Sequence, residues 1–194
     1  MTGVQTCALP IWSVGDALLA IHAMRQYDLG YIEQPIDRRD LQGLSEIRRQ
    51  AQGIPVMADE ALFTVQDAFA LAEARAVDAF CIKLYKLGGL TSARRIAGVA
   101  QAANILLNCG GLAVQCQLEA AASAHYYASY PAKRMMGAAE FVMGLNTIGP
   151  DPIVPLTDFV VQDGHVNVPV GPGLGITVDE AALKKHTLLH EAVS

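Results

Sequence analysis

Short apolar runs recur along this chain at a nearly constant interval, and each closes on a polar or charged residue. Glu33, Asp59, Lys83, Cys109 and Glu140 end successive runs, 26, 24, 26 and 31 residues apart. The segments between them carry the 3.6-residue periodicity of amphipathic helices. Apolar runs of strand length alternating with such segments describe repeated βα units around a parallel sheet covered on both faces. A steady period without a long insertion at a switch point favours a (β/α) barrel over an open doubly wound sheet.

The pattern predicts strands over residues 31–33, 55–58, 78–83, 105–109 and 135–141. Helices are predicted over 14–26 with Ser13 as N-cap, 41–51, 65–74, 90–103 and 117–130, with Gly30 as the stop after the first. A complete barrel of this type takes about 250 residues. With 194 residues and five strands in view, the expected α/β fold is an incomplete TIM-type barrel, the C-terminal portion, of about five βα units. The tail differs in character. Residues 159–168 read as a hairpin turning at Asp163-Gly164, followed by the Pro/Gly loop 169–175 and a short helix capped by Asp179. Three segments are therefore expected: 1–11, 12–158 as the partial barrel, and 159–194 as hairpin and tail. Residues 1–11 show no period, and GVQTCALPI resembles a translated sequencing adapter, so that segment is expected to be a leader foreign to the fold.

Composition excludes several classes. Lys plus Arg is 14 and Asp plus Glu is 19, a net charge of −5, so no basic surface for nucleic acid is expected. The hydrophobic fraction of 52% excludes disorder. No apolar run is long enough for a spanning helix, so no membrane partner is expected. Cys7, Cys81, Cys109 and Cys116 form no C-x-x-C pair. Reduced thiols and a cytoplasmic location follow as expectations.

In a parallel barrel, strand C-termini converge on one face, and reacting groups come from several of them. Glu33, Asp59 with Glu60, Lys83 and Glu140 fall at four such ends. Acids on neighbouring strand ends can hold a hard cation through oxygen. A lysine across the mouth can then move the proton of a C–H acid bound beside that cation. Lys86, three residues on, is the competing lysine.

The segments YIEQP (31–35), VMADE (56–60), IKLYKLGG (82–89) and PVGPGLG (169–175) resemble the enolase superfamily, and within it the muconate-lactonising (mandelate racemase/muconate cycloisomerase) branch. The resemblance runs from about Trp12 to Lys185. It implies Mg²⁺, with Mn²⁺ as a substitute, and Glu33 and Asp59 as two of three metal ligands. It also implies Glu60 as a supporting acid, Lys83 as acid/base, and Glu140 as an acid on the last barrel strand. The implied substrate is a small carboxylate, and the implied reaction removes the proton α to it, as in racemases, epimerases, cycloisomerases and dehydratases. A homo-oligomer is implied for the parent protein.

Departures from the family are equally legible. Gln115 stands where relatives carry an acid in a G-G-x-x-x-E loop. Asn108 and Cys109 stand where the mandelate-racemase subgroup has a histidine. His125 reads as a packed helix residue. The family's capping domain, its K-x-K motif and its third-strand Asp ligand are not found in the sequence, so the 194-residue chain alone is expected to be inactive. Two alternatives stay open on the residues: a metal-independent barrel using Lys83 as a Schiff-base nucleophile, and a non-catalytic half-barrel that binds a partner.

Overall fold

The structure, a computed structural model, describes residues 5–7, 12–111, 117–145, 149–154 and 159–188. It divides into two compact units, residues 1–110 with 130–138, and residues 111–129 with 139–194. This division falls inside the segment expected to be one partial barrel, rather than at residue 158.

The first unit holds a five-stranded sheet: β1 (Gln5–Cys7), β2 (Tyr31–Glu33), β3 (Val56–Ala58), β4 (Ala79–Ile82) and β5 (Leu106–Cys109). Every neighbouring pair is parallel, and the strands lie in chain order. The connections run through α1 (Val14–Met24), α2 (Leu41–Gln50), α3 (Val65–Glu73) and α5 (Leu90–Ala102). A one-turn helix, α4 (Leu84–Leu87), precedes α5. Local chemistry sets the helix starts. Ser13 and Asp16 form a reciprocal capping box at α1, as do Thr64 and Asp67 at α3. The Asp40 carboxylate accepts the Gly43 N–H at the start of α2, 2.7 Å away. The first helix stops earlier than expected. A 3₁₀ turn at Arg25–Tyr27 ends on Asp28 in the left-handed region (φ 52°), so Asp28 and not Gly30 is the breaker.

Side chains alternate across a strand, so register sorts this sheet into two faces. Met57 pairs with Glu33 and Ala79, and Cys81 pairs with Asn108. One face therefore carries Tyr31, Glu33, Met57, Ala79, Cys81, Leu106 and Asn108. Tyr31, Met57, Ala79 and Cys81 form a buried apolar cluster there, packed by Leu106 and Met136. Ile32, Val56, Ala58, Phe80 and Ile82 point the other way and are fully buried. A sheet covered on both faces accounts for the near-continuous apolar strands.

Five barrel strands were expected, and the parallel sheet has five among the described residues, but not the same five. Gln5–Cys7 supplies an additional strand where no element was foreseen. Residues 135–141 are not a strand. Met135 makes only an isolated parallel bridge to Leu107, and a 3₁₀ turn occupies Glu140–Gly144. The cause is local. Gly137 adopts φ 72°, which breaks an extended run, and the Asn108 amide donates to the carbonyls of Met136 (3.0 Å) and Ala138 (3.3 Å) in place of a neighbouring strand. A Cβ on Gly137 would lie 2.8 Å from the Tyr31 ring.

The second unit contains α6 (Gln117–Ala128), β6 (Val161–Gln162), β7 (His165–Val166) and α7 (Glu180–His186). Buried Asp151 receives the first N–H of α6 from Gln117 at 2.6 Å and the Ile153 N–H at 2.8 Å. Phe141 meets Tyr127 edge-on and stacks on Phe159. The hairpin turns where expected, with Asp163 at φ 50° and Gly164 at φ 75°, but its strands are two residues long. Among the described residues, no helix is long and apolar enough to cross a membrane.

Candidate active site

Glu33 is the last residue of β2, and Asp59 and Lys83 follow immediately on β3 and β4. Adjacent parallel strands at this register bring the three side chains to one place. The Lys83 ammonium donates to Asp59 Oδ2 and lies 3.9 Å from Glu33 Oε1. The two carboxylates are buried, with residue exposures of 4% for Glu33 and 6% for Asp59. An ammonium between two carboxylates offsets much of the desolvation cost of placing them there. Gly110, just past β5, leaves room for this arrangement. A Cβ there would come within 2.7 Å of Lys83 Cε and 2.5 Å of Cys81 Sγ.

Three further residues belong to the site and were missed or set aside by sequence reasoning. Lys86, the competing lysine, sits on α4 with its side chain only 7% exposed. Its ammonium donates to Asp59 Oδ1 and, at 2.7 Å, to the Asp59 carbonyl, while resting 5.5 Å over the Phe63 ring. Its signal was the helical turn that Gly88 terminates at φ 81°, since that turn places Lys86 back over the strand end. Gln34, inside the YIEQP segment, is fully buried with φ 38°. Its side-chain oxygen accepts the N–H groups of Asp59 (3.2 Å) and Ala61 (3.0 Å), and its amide donates to the Ile36 carbonyl (3.0 Å). Gln34 thus ties the end of β2 to the Asp59 loop. Cys81 lies two residues before Lys83 on the same face; period-two alternation was the available signal. Its thiol donates weakly to Asn108 Oδ1 at 3.6 Å.

The electrostatics follow from burial and neighbours. Burial works to raise the Asp59 pKa, but the charges of Lys86 and Lys83 and their hydrogen bonds prevail and hold it below the ordinary carboxylate value. For Lys83, burial works to lower the value, but its hydrogen bond to Asp59 and the charges of Asp59 and Glu33 raise it overall. Burial pushes the Cys81 thiol up, and Asp59 and Glu33 push it further.

Of the other two expected site residues, Glu60 belongs to the first unit and Glu140 to the second. Glu60 is exposed and lines a surface cavity of about 430 Å³ with Arg38, Arg39 and Phe63. Its neighbour Asp59 turns inward, and one residue of offset turns Glu60 outward. Glu140 is buried in the second unit, on a 3₁₀ turn rather than a strand end, and its carboxylate accepts the Gly111 N–H at 3.3 Å. His125 is half-buried in α6 with Nε2 3.2 Å from the Leu174 carbonyl oxygen, in keeping with a packing role. His22, His165 and His186 are exposed. Gln115, Cys116 and His190 lie outside the described residues.

Two carboxylates at neighbouring strand ends, already holding one cationic group, match the oxygen donors that a hard divalent cation takes. Such an ion commonly binds one or two protein carboxylates and completes its shell with water and substrate. Glu33 Oε, Asp59 Oδ and Cys81 Sγ lie within 4.8 Å of one another.

Residues 8–182 match the family described as enolase C-terminal domain-like. The chain belongs to that family. It is similar to a chloromuconate cycloisomerase of Cupriavidus necator, 31% identical over 179 residues, 91% of this chain and 46% of that protein. It is also similar to a hydrophobic dipeptide epimerase of Enterococcus faecalis, 37% identical over 118 residues, 61% of this chain and 33% of that protein. Among solved structures, the muconate lactonizing enzyme of Pseudomonas putida superposes with a TM-score of 0.82 at 29% identity, over 94% of this chain and 49% of that one. The chain spans about half the length of the curated relatives it matches. Its ordered parallel sheet is thus the C-terminal portion of an enolase-type (β/α) barrel, as the strand-end spacing implied.

Proposed function

We propose that this chain is part of an enzyme that moves the proton α to a substrate carboxylate, with Glu33 and Asp59 binding a divalent cation and Lys83 as acid/base. The supporting observation is the buried contact of the Lys83 ammonium with Asp59, with Glu33 3.9 Å away. A bound Mg²⁺ or Mn²⁺ would offset the negative charge that develops on the substrate carboxylate as its α-proton leaves.

The protein's own groups do the rest. Glu33 and Asp59 present oxygen donors from two rigid strand ends. Gln34 fixes the Asp59 loop by holding two of its N–H groups. Lys86 grips Asp59 through Oδ1 and the main-chain carbonyl, leaving Oδ2 turned toward Lys83. Lys83 Nζ exchanges a proton with the substrate carbon, and it serves as a base only when it is no longer the counter-ion of Asp59.

Cycloisomerases and epimerases both occur among the relatives, and the proton transfer proposed here is common to those reactions. The 194-residue chain alone is proposed to be inactive, because Glu33 and Asp59 supply only two carboxylate ligands and Lys83 only one base. The test is a chimera in which residues 12–188 replace the matching segment of the Pseudomonas putida muconate lactonizing enzyme. Turnover by the chimera, lost by at least about a hundredfold in Lys83→Ala, is the expected result. Full turnover by the Lys83→Ala chimera, or imine trapping by borohydride at Lys83, would overturn the reading.

A further inference from the structure

The surface cavity beside Glu60 takes no part in the mechanism above. It opens between the chain that follows β2 and the start of α3. Its volume of about 430 Å³ falls inside the range of about 300–1,000 Å³ typical of small-ligand pockets. Arg38, Arg39, Glu60, Phe63, Asp67 and Ala70 line it. Two of the four charged groups are already committed. Arg39 forks onto Asp37, with Nε–Oδ1 and Nη2–Oδ2 both 3.2 Å. Asp67 Oδ2 accepts the N–H groups of Phe63 (3.0 Å) and Thr64 (2.8 Å). The other two are free. Among the described residues, neither the Arg38 guanidinium nor the Glu60 carboxylate makes a hydrogen bond or an ion pair. The Arg38 Cζ lies 5.6 Å over the Phe63 ring, which steadies the guanidinium without using its N–H edge.

We infer that this cavity binds a free α-amino acid with an apolar side chain, taken as its zwitterion. The planar donor fork of Arg38 matches a carboxylate. Glu60, which can only accept when ionised, matches an ammonium group. Phe63 and Ala70 offer apolar surface to the side chain. Charge balance decides among ligand classes. The two cations and two carboxylates of the lining cancel, so a ligand carrying both charges leaves each free group with a partner. A phosphate-type anion would meet Glu60 and Asp67 in the same cavity, and a simple cation would meet Arg38 and Arg39. The cavity is distinct from the Glu33–Asp59 cluster, because Asp59 is buried and Glu60 is exposed. Phe63 is common to the two surroundings, since its ring also carries the Lys86 ammonium at 5.5 Å. Occupancy here does not require a bound cation.

The experiment titrates L-leucine into the isotope-labelled 194-residue chain and follows amide NMR shifts. Isocaproate, which lacks the ammonium, and isopentylamine, which lacks the carboxylate, are the single-charge controls. Saturable shifts are expected at the Phe63 and Ala70 amides, with leucine binding at least about fivefold more tightly than either control. Arg38→Gln should bring leucine down to the level of isopentylamine, and Glu60→Gln to the level of isocaproate. Both variants should keep the parent spectrum away from the cavity, since both residues are exposed. Absence of saturable shifts at those amides overturns the inference, as does equal binding of leucine and either control. Leucine binding that survives both substitutions undiminished overturns it too.

Discussion

Removing the Gln34 side chain tests whether the Asp59 loop is held by a side chain from the neighbouring strand. In Gln34→Ala, the N–H groups of Asp59 and Ala61 lose their acceptor, and the Ile36 carbonyl loses a donor. Asp59 and Ala61 are themselves buried, so water does not readily replace the lost oxygen. An orphaned buried donor costs about 1–3 kcal/mol, which places the loss from two of them near 3–4 kcal/mol. The left-handed backbone at residue 34 gives no relief, since alanine meets the same Cβ conflict there as glutamine. Urea unfolding gives the global change. Amide hydrogen exchange locates it: a local loss of 3 kcal/mol accelerates exchange at Asp59 and Ala61 by roughly a hundredfold. Refutation would be a loss below about 0.5 kcal/mol with exchange at those two amides unchanged, because the loop would then be held by something other than Gln34.

Other consequences are as specific. Lys86→Met should destabilise the chain by about 3 kcal/mol, because it strips one partner from a buried ion pair, and Asp59→Asn in the same chain should recover part of that loss in a double-mutant cycle. Gly111→Ala should cost several kcal/mol by denaturant titration, as its Cβ would strike the Glu140 carbonyl oxygen, a backbone atom that cannot rotate away. Glu119 has its pKa raised by burial, against a smaller lowering by Ser123. The folded state therefore holds that proton more tightly than the unfolded one. Its stabilising contribution is present at pH below the ordinary glutamate value and is lost as pH rises through the raised one, so Glu119→Gln should remove that alkaline-side loss from a stability–pH curve.

The barrel-type sheet was legible because the strands are buried on both faces and evenly spaced. Glu33, Asp59 and Lys83 were legible for the same reason, since each ends an apolar run at the same phase of the repeat. What escaped the sequence depended on conformation that spacing does not encode. Residues 135–141 look like a strand by hydrophobicity, but Gly137 at positive φ and the Asn108 amide turn the chain instead. Glu140 left the expected strand end with them. Glu60 was misplaced by one residue of turn beyond β3. Lys86 was set aside because a four-residue helix carries too little periodicity to reveal which way it points. Gln34 needed its left-handed backbone to reach Asp59. Gln5–Cys7 pairs with β2 without any alternation of its own, so its strand is set by its neighbour.

The proposed cation site is formed by Glu33 and Asp59 together, beside Lys83. Mn²⁺ binding to the 194-residue chain, followed by electron paramagnetic resonance in the parent, Glu33→Gln, Asp59→Asn and Glu60→Gln, tests it most directly. One site is expected, lost in the first two variants and kept in Glu60→Gln. A site that persists without either carboxylate, or that disappears with Glu60, contradicts it.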